Sequence, residues 1–294
     1  MPDSSKRVAI LSKPQKAELS SIVPSLLEWL IARGFEPVVD PPTAPHLPQS
    51  DGPSQVRIVC REDLRNQALA FAIVLGGDGT LLSAARVLAR AQVPIMAVNL
   101  GSLGFLTEVR REDLFLALDE WCEGKIKTER RAMARCCVFR DGRCRAQYDA
   151  LNDIVVARAN ISRVADLRVS LNGVFVANYM ADGVIVATPT GSTAYSLAAG
   201  GPVLVPQLRA MIITPVSPHA LTNRPLVVPG DSTISITLNR ADTLFVTADG
   251  QEAEEITIKD EIRCSLADYD LQLIRHENTN FFDVLRSKLK WGER

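Results

Sequence analysis

Phe71-Ala-Ile-Val-Leu75, followed at once by Gly76-Gly-Asp-Gly-Thr80, limits what this chain can fold into more than any other stretch. Five consecutive apolar residues suit a strand buried on both faces, as in a parallel sheet covered by helices. Three glycines in the next four positions remove side chains where a tight turn or a close ligand needs room. Leu81, Leu82, Ala84, Ala85, Val87 and Leu88 then recur at helical spacing. Strand, Gly-rich turn and helix together present backbone N–H groups and a positive dipole end to a phosphate. Asp78 is the odd residue. A carboxylate repels phosphate, so in such a cradle it should hold a cation or take a proton. Taken alone, Asp78 reads equally well as an Asp-Gly turn or a helix cap.

The flanking sequence repeats the alternation of strand and helix. Val8–Leu11 predicts a strand, and Leu19, Ile22, Val23, Leu26, Leu27, Leu30 and Ile31 predict a helix that Gly34 caps. Short strands are expected at 36–39 and 56–59. The stretch 41–53 holds five of the 17 prolines and reads as a loop. Pro94–Val98 is a further strand, Asn99-Leu-Gly-Ser-Leu-Gly104 a second Gly-rich turn, and Leu114–Trp121 a helix that ends at Gly124. This is the grammar of parallel βαβ units, whose functional loops lie at the carboxyl ends of the strands.

After Gly124 the pattern changes. Arg135–Phe139 and Cys144–Tyr148 flank Asp141-Gly142, and Leu167–Leu171 and Val174–Asn178 flank Asn172-Gly173. Both read as hairpins. Further short strands are expected at 153–157, 184–187, 233–238, 244–247 and 255–258, which describes a β-sandwich or a related antiparallel domain. Phe281, Phe282, Val284, Leu285, Leu289 and Trp291 predict a closing amphipathic helix that packs back on the first domain. The expected division is an α/β domain over 1–126 plus 276–294 and a β-rich domain over 127–275.

A formal net charge of −1 gives no global positive field, which argues against nucleic acid or an anionic membrane as partner. No apolar run reaches the roughly 20 residues of a membrane span. Met1-Pro-Asp-Ser-Ser-Lys-Arg leads straight into a strand and has no signal-peptide core, so the cytoplasm is the expected compartment. The six cysteines form no C-x-x-C pair and read as reduced structural thiols. His46 and His276 read as surface or packing residues, while His219 is left open.

Two other stretches concentrate polar chemistry. Asp182-Gly183 leads through an apolar strand into Thr188-Pro-Thr-Gly-Ser-Thr-Ala-Tyr-Ser196, where hydroxyls cluster at the start of a short helix closed by Gly200-Gly201. Such a turn suits phosphate or ribose contacts, and equally an ordinary capped helix. Asn152-Asp153 precedes a strand; an amide beside a carboxylate can read ribose hydroxyls or simply form a turn.

Together and in this order, Gly76-Gly-Asp-Gly-Thr80, Asn99-Leu-Gly-Ser-Leu-Gly-Phe-Leu-Thr107, Asn152-Asp153, the stretch from Asp182 to Ser196, and Phe281–Trp291 resemble the bacterial NAD kinases, from Val8 to Trp291. The first motif alone also looks like that of diacylglycerol-type lipid kinases and of phosphofructokinases, and a lipid kinase of the former type is the alternative reading. The resemblance implies phosphorylation of the adenosine-ribose 2′-hydroxyl of NAD by ATP or polyphosphate. It also implies a Mg²⁺-like cation held chiefly by phosphates and water, with no dedicated protein metal cage. A homodimer or homotetramer is implied, with the NAD site between the domains and near a neighbouring subunit. Carried over by position, Asp78 is the catalytic base. Gly79, Asn152, Asp153, Asp182, Thr193, Ala194, Tyr195, Ser196, Leu197 and Ala198 bind NAD, joined by Arg163 and Gln251, which do so in some members. Asp153 stands where the family usually has Glu and is one methylene shorter. Ala198 replaces a common Ser, and Met180 stands where some members carry a basic residue.

Overall fold

The computed structural model describes residues 6–14, 16–48, 56–101, 104–158, 164–240, 243–275 and 280–290. By contact the chain divides into two compact units, residues 1–130 with 271–294, and residues 131–270.

The first unit is built on β1 (Arg7–Ser12), α1 (Leu19–Ala32), β2 (Glu36–Val39), β3 (Arg57–Ile58), β4 (Leu69–Gly76), α2 (Asp78–Leu88), β5 (Ile95–Asn99), β6 (Val109–Arg110) and α3 (Leu114–Cys122). The strands lie in the order β3-β2-β1-β4-β5, all parallel, with β6 parallel to the end of β5. Residues 71–76 of β4 are all buried, as a strand covered on both faces requires. Phe71, Ile73 and Leu75 pack with Leu26 and Leu30 of α1 and Leu118 of α3. Helix α2 packs on β4 and β1 with Leu81, Leu82, Ala85 and Leu88 buried. The loop expected over 41–53 contains a 3₁₀ turn at Ala44–His46, and His46 Nδ1 lies 3.1 Å from Ser20 Oγ.

The second unit holds most of β7 (Lys127–Arg140), then β8 (Arg143–Ala150), β9 (Asp153–Arg158), β10 (Ala165–Leu171), β11 (Val174–Ala181), β12 (Gly183–Ala187), α4 (Tyr195–Ala198), β13 (Ala210–Val216), β14 (Leu226–Pro229), β15 (Ile234–Leu238), β16 (Leu244–Ala248), β17 (Glu252–Ile256) and the first part of β18 (Asp260–Arg275). One antiparallel sheet runs β14-β13-β12-β9-β16-β17. The other runs β11-β10-β15-β18, with β7 and β8 continuing from β18. Both expected hairpins form: Asp141, Gly142, Asn172 and Gly173 all have φ between 50 and 79°, the left-handed pair that a two-residue turn demands. Alternate residues of both sheets, among them Val184, Val186, Ile154, Leu167, Ile213 and Ile236, meet in one apolar core, as a sandwich requires. Ile185 and Ala187 use the opposite face of β12, where they pack with Ile212, Ala199 and Leu204.

Strands β13, β14 and β18 are not visible as strands in the sequence pattern. The end of β18 returns to the first unit, where Leu273 pairs in parallel with Ile95. Helix α5 (Phe281–Leu289) also belongs to that unit, with Val284 and Leu285 buried and Asn280 Oδ1 capping Phe282 N–H at 2.9 Å.

Candidate active site

In the first unit the site begins where β4 ends. Gly76 is in register with Asn99 of β5, so the two Gly-rich turns leave the sheet side by side at its carboxyl edge. Asp78 opens α2, and its carboxylate is gripped by the second turn. Phe105 N–H donates to Oδ2 at 2.9 Å, while Leu106 N–H and Thr107 N–H donate to Oδ1 at 3.2 and 3.1 Å. The Thr107 hydroxyl adds a fourth contact to Oδ1 at 3.0 Å. Oδ1 thereby carries three donors and is filled. Oδ2 carries one and keeps an acceptor position. Gly104 makes the grip possible, because a Cβ there would overlap Asp78 Oδ1 and Thr107 Oγ1. Asn99 braces the turn: Nδ2 donates to Thr107 Oγ1 at 2.8 Å and Oδ1 accepts Gly101 N–H at 2.6 Å. Gly79 is exposed beside Asp78.

Helix α2 is fixed from its other side by a buried ion pair. Asp40, fully buried just after β2, accepts Arg61 Nε at 3.0 Å. Arg61 Nη1 reaches Ser83 Oγ of α2 at 2.9 Å, and its Nη2 reaches the Ser12 carbonyl of β1 at 3.2 Å. One guanidinium thus ties two strand ends to the helix that carries Asp78.

In the second unit the polar stretches converge at one end of the β14–β17 sheet. Asp153 opens β9 opposite Ala187, the last residue of β12. Thr188 N–H donates to the Asn152 carbonyl at 2.9 Å and Thr188 Oγ1 to the Leu151 carbonyl at 2.6 Å. Gly191 packs on the Asn152 backbone with no room for a Cβ. Asp249, at the turn after β16, accepts the N–H groups of Leu151, Asn152 and Asp153 at 2.9, 2.7 and 3.2 Å. Asp153 is buried, and burial followed by the charge of Asp249 pushes its carboxyl up to about 7. Thr193 and Ala194 are half-buried and Tyr195 is exposed at the start of α4. Ser196 turns inward, its hydroxyl 2.9 Å from Thr214 Oγ1, while Leu197 is half-buried and Ala198 exposed. Gln251 is exposed two residues beyond Asp249.

Asp182 stands apart from this cluster. It precedes β12 and pairs with Arg158 at 2.7 Å, at the opposite end of the strand from Thr188. With a rise of about 3.3 Å per residue, the six steps between them span roughly 20 Å. Arg163 lies outside the described residues. His219 is exposed, and its backbone N–H donates to the Met180 carbonyl at 2.9 Å. All six cysteines are free thiols; Cys136 and Cys264 are buried, whereas Cys60 and Cys144 are exposed. Among the described residues no group of three or more His, Cys, Asp or Glu is placed to hold a metal ion.

Three residues were not singled out by the sequence pattern. Thr107 and Asp249 are the braces just described. Thr190, inside the hydroxyl-rich turn, is 4% exposed, and its Oγ1 has no hydrogen-bond partner among the described residues. The run of small residues around Thr190 signals a crowded turn, not which hydroxyl is left unspent.

A carboxylate set between two Gly-rich turns at the edge of a parallel sheet, with a hydroxyl-rich turn on a β-sandwich, defines a small-molecule kinase. Family models agree: the ATP-NAD kinase N-terminal domain matches residues 8–126 and the C-terminal domain residues 151–276. The NAD kinase of Acidobacterium capsulatum is 51% identical over 290 residues, covering 98% of this chain and 100% of that one. That of Koribacter versatilis is 50% identical over 290 residues, covering 98% and 99%. The structure resembles yeast NADH kinase complexed with NADH (TM-score 0.91, 26% identity, 100% of this chain and 90% of that one). It also resembles an NAD kinase from Archaeoglobus fulgidus in complex with ATP (TM-score 0.75, 27% identity, 97% and 98%). The chain belongs to the ATP-NAD kinase family, and its function is that of an enzyme, an NAD kinase. None of these relatives supports the lipid-kinase alternative.

Proposed function

We propose that the chain transfers the terminal phosphoryl of ATP or polyphosphate to the adenosine-ribose 2′-hydroxyl of NAD, with Asp78 as general base. The observation that carries this reading is the asymmetric grip on Asp78: Oδ1 is filled by three donors while Oδ2 keeps an acceptor position. Oδ2 accepts the hydroxyl proton as the ribose oxygen attacks phosphorus and the bond to the leaving phosphate breaks. General bases of this kind contribute roughly 10²–10⁴ in rate. NADH and ATP in the two related structures fit the same pair of substrates. Asn152, Asp153, Thr193, Ala194 and Tyr195 hold NAD, and Gly79 and Gln251 contribute to its binding.

A divalent cation such as Mg²⁺ neutralises the donor phosphates when bound. Such a cation would be carried chiefly by phosphate and water.

The proposed assembly is a homo-oligomer. Leu226 and Val227 are exposed on β14, the edge strand of its sheet, and Leu221 is 90% exposed just before it. The separation of Asp182 from the Asp153 cluster suits a site that Asp182 of a neighbouring copy completes. The cytoplasm is the proposed compartment; among the described residues no helix is long and apolar enough to cross a membrane.

The test is NADP formation from NAD, ATP and Mg²⁺, with NAD binding measured in parallel. Asp78→Asn should bind NAD and make almost no NADP. Near-normal turnover would remove Asp78 as the base, and NAD binding by the wild type without turnover would leave only a sensor.

A further inference from the structure

The carboxyl edge of the first unit's sheet continues beyond the two Gly-rich turns. Gly76 of β4 is in register with Asn99 of β5, and Asn99 with Arg110 of β6. Neighbouring strands lie about 4.8 Å apart, so the backbone of Arg110 is roughly 10 Å from Gly76 along the edge that holds Asp78. A cavity of about 410 Å³ opens there, lined by Asn99, Leu100, Gly101, Arg110, Arg111 and Glu112. That volume is within the range of small-molecule sites.

The polar groups of Asn99 and the Gly101 N–H are spent on shaping the turn. What remains for a ligand is the two guanidinium groups. Both arginines are exposed, and among the described residues no ion pair or side-chain hydrogen bond engages either. Three other guanidinium groups of this unit are matched with carboxylates: Arg61 with Asp40, Arg33 with Asp119, Arg275 with Glu108. Two adjacent arginines with no ion pair among the described residues, in a cavity at the functional edge of a parallel sheet, are suited to a polyanion. The planar fork of each can take two oxygens of one phosphate. Glu112 contributes the opposing charge, which leaves the lining with a net positive charge.

We propose that Arg110 and Arg111 form the subsite that holds the phosphate chain of the phosphoryl donor, beside the carboxylate that faces the acceptor. The inference rests on the phosphotransfer reading above. The shared chemistry is a chain of linked phosphates, whether nucleoside triphosphate or inorganic polyphosphate.

Initial rates at saturating NAD, with ATP varied in one arm and inorganic polyphosphate in the other, test it. Arg110→Ala and Arg111→Ala should each raise the donor KM about tenfold, as expected for loss of one charge-assisted phosphate contact. The NAD KM should stay within twofold. Arg110→Lys, which keeps charge but loses the fork, should fall between, and Glu112→Gln should lower the donor KM. Losses in both arms assign the subsite to the phosphate chain in general. A loss in the ATP arm alone assigns it to the nucleotide's triphosphate. A donor KM unchanged within twofold, or an NAD KM that rises in parallel, overturns the proposal. Binding of inorganic tripolyphosphate, followed as a rise in melting temperature, keeps the two readings separate. Loss of that rise in the double alanine variant supports the subsite even if no NADP is made, and an undiminished rise overturns it even if NADP is made.

Discussion

Thr107 Oγ1 stands 3.0 Å from Asp78 Oδ1, and the direction of that hydrogen bond is fixed by a third group. Asn99 Nδ2 donates to the same hydroxyl at 2.8 Å, so the hydroxyl proton of Thr107 is left to point at Asp78. The carboxylate is thus oriented by a relay that starts one strand away. Thr107→Val removes the relay and takes from the buried Asn99 amide its 2.8 Å acceptor, leaving the Thr107 carbonyl at 3.4 Å. The expected result is a fall in kcat with a stability loss of about 1–3 kcal/mol, and near-complete rescue of both by Thr107→Ser. Steady-state rates and urea unfolding of the two variants check it.

Gly104 is held against the same carboxylate. A methyl group there would occupy the place of Asp78 Oδ1, so the turn or the carboxylate must shift. Displacing a reacting group by about 1 Å can cost about a hundredfold in rate. Gly104→Ala should therefore lose about that much kcat while keeping NAD binding, measured by fluorescence or calorimetry. Normal turnover would show that the turn yields without moving Asp78.

The Asp153 carboxyl gives the fold a pH dependence of known sign. Burial and the Asp249 charge raise it in the folded state to about 7 from an unfolded value near 3.8. The folded protein therefore binds more protons than the unfolded one between those values, and this group's contribution falls as pH rises from about 4 to about 7. The slope it adds is at most about 1.4 kcal/mol per pH unit. Asp153→Asn should flatten that part of the curve and unfold later than the wild type at pH 8. Urea midpoints at pH 5 and pH 8 for both proteins test this, and identical slopes would refute it.

Arg61 answers a fully buried carboxylate. Arg61→Ala leaves Asp40 without its cation and releases Ser83 of α2. Breaking a buried pair on one side costs about 3–5 kcal/mol. Asp40→Asn with Arg61→Met, which removes both charges, should recover most of that loss in denaturant unfolding.

The sequence shows plainly those features that are local. Phe71–Leu75 is apolar throughout because both faces of β4 are covered, and Asp141-Gly142 and Asn172-Gly173 mark hairpins because few other pairs tolerate their dihedrals. The α/β half, the β-rich half and the C-terminal helix all follow from such signals. β13 was hidden by Pro215 and by an apolar run that fits helix or strand. β18 was hidden because its outward positions carry Arg263, Asp268 and Asp270, which break the apolar pattern. At the site, both Gly-rich motifs could be read, but not that the backbone of one grips the carboxylate of the other. That contact joins residues 27 to 29 positions apart. The role of Asp249 is equally silent, since its three donors lie 96 to 98 positions earlier.

Strand β18 sets the order in which the chain can be completed during synthesis. The first unit takes residues 1–130 and then waits for residues 271–294. Until Leu273 emerges, β5 lacks its second partner at Ile95, and until Arg275 emerges, Glu108 and Glu129 lack the guanidinium they share. The β-rich unit, continuous over 131–270, has all its residues by then. A released chain truncated after residue 270 should therefore show a protease-resistant second unit and an unfinished first one. The loop that bears Asp78 is translated early, yet the sheet it leaves from closes among the last.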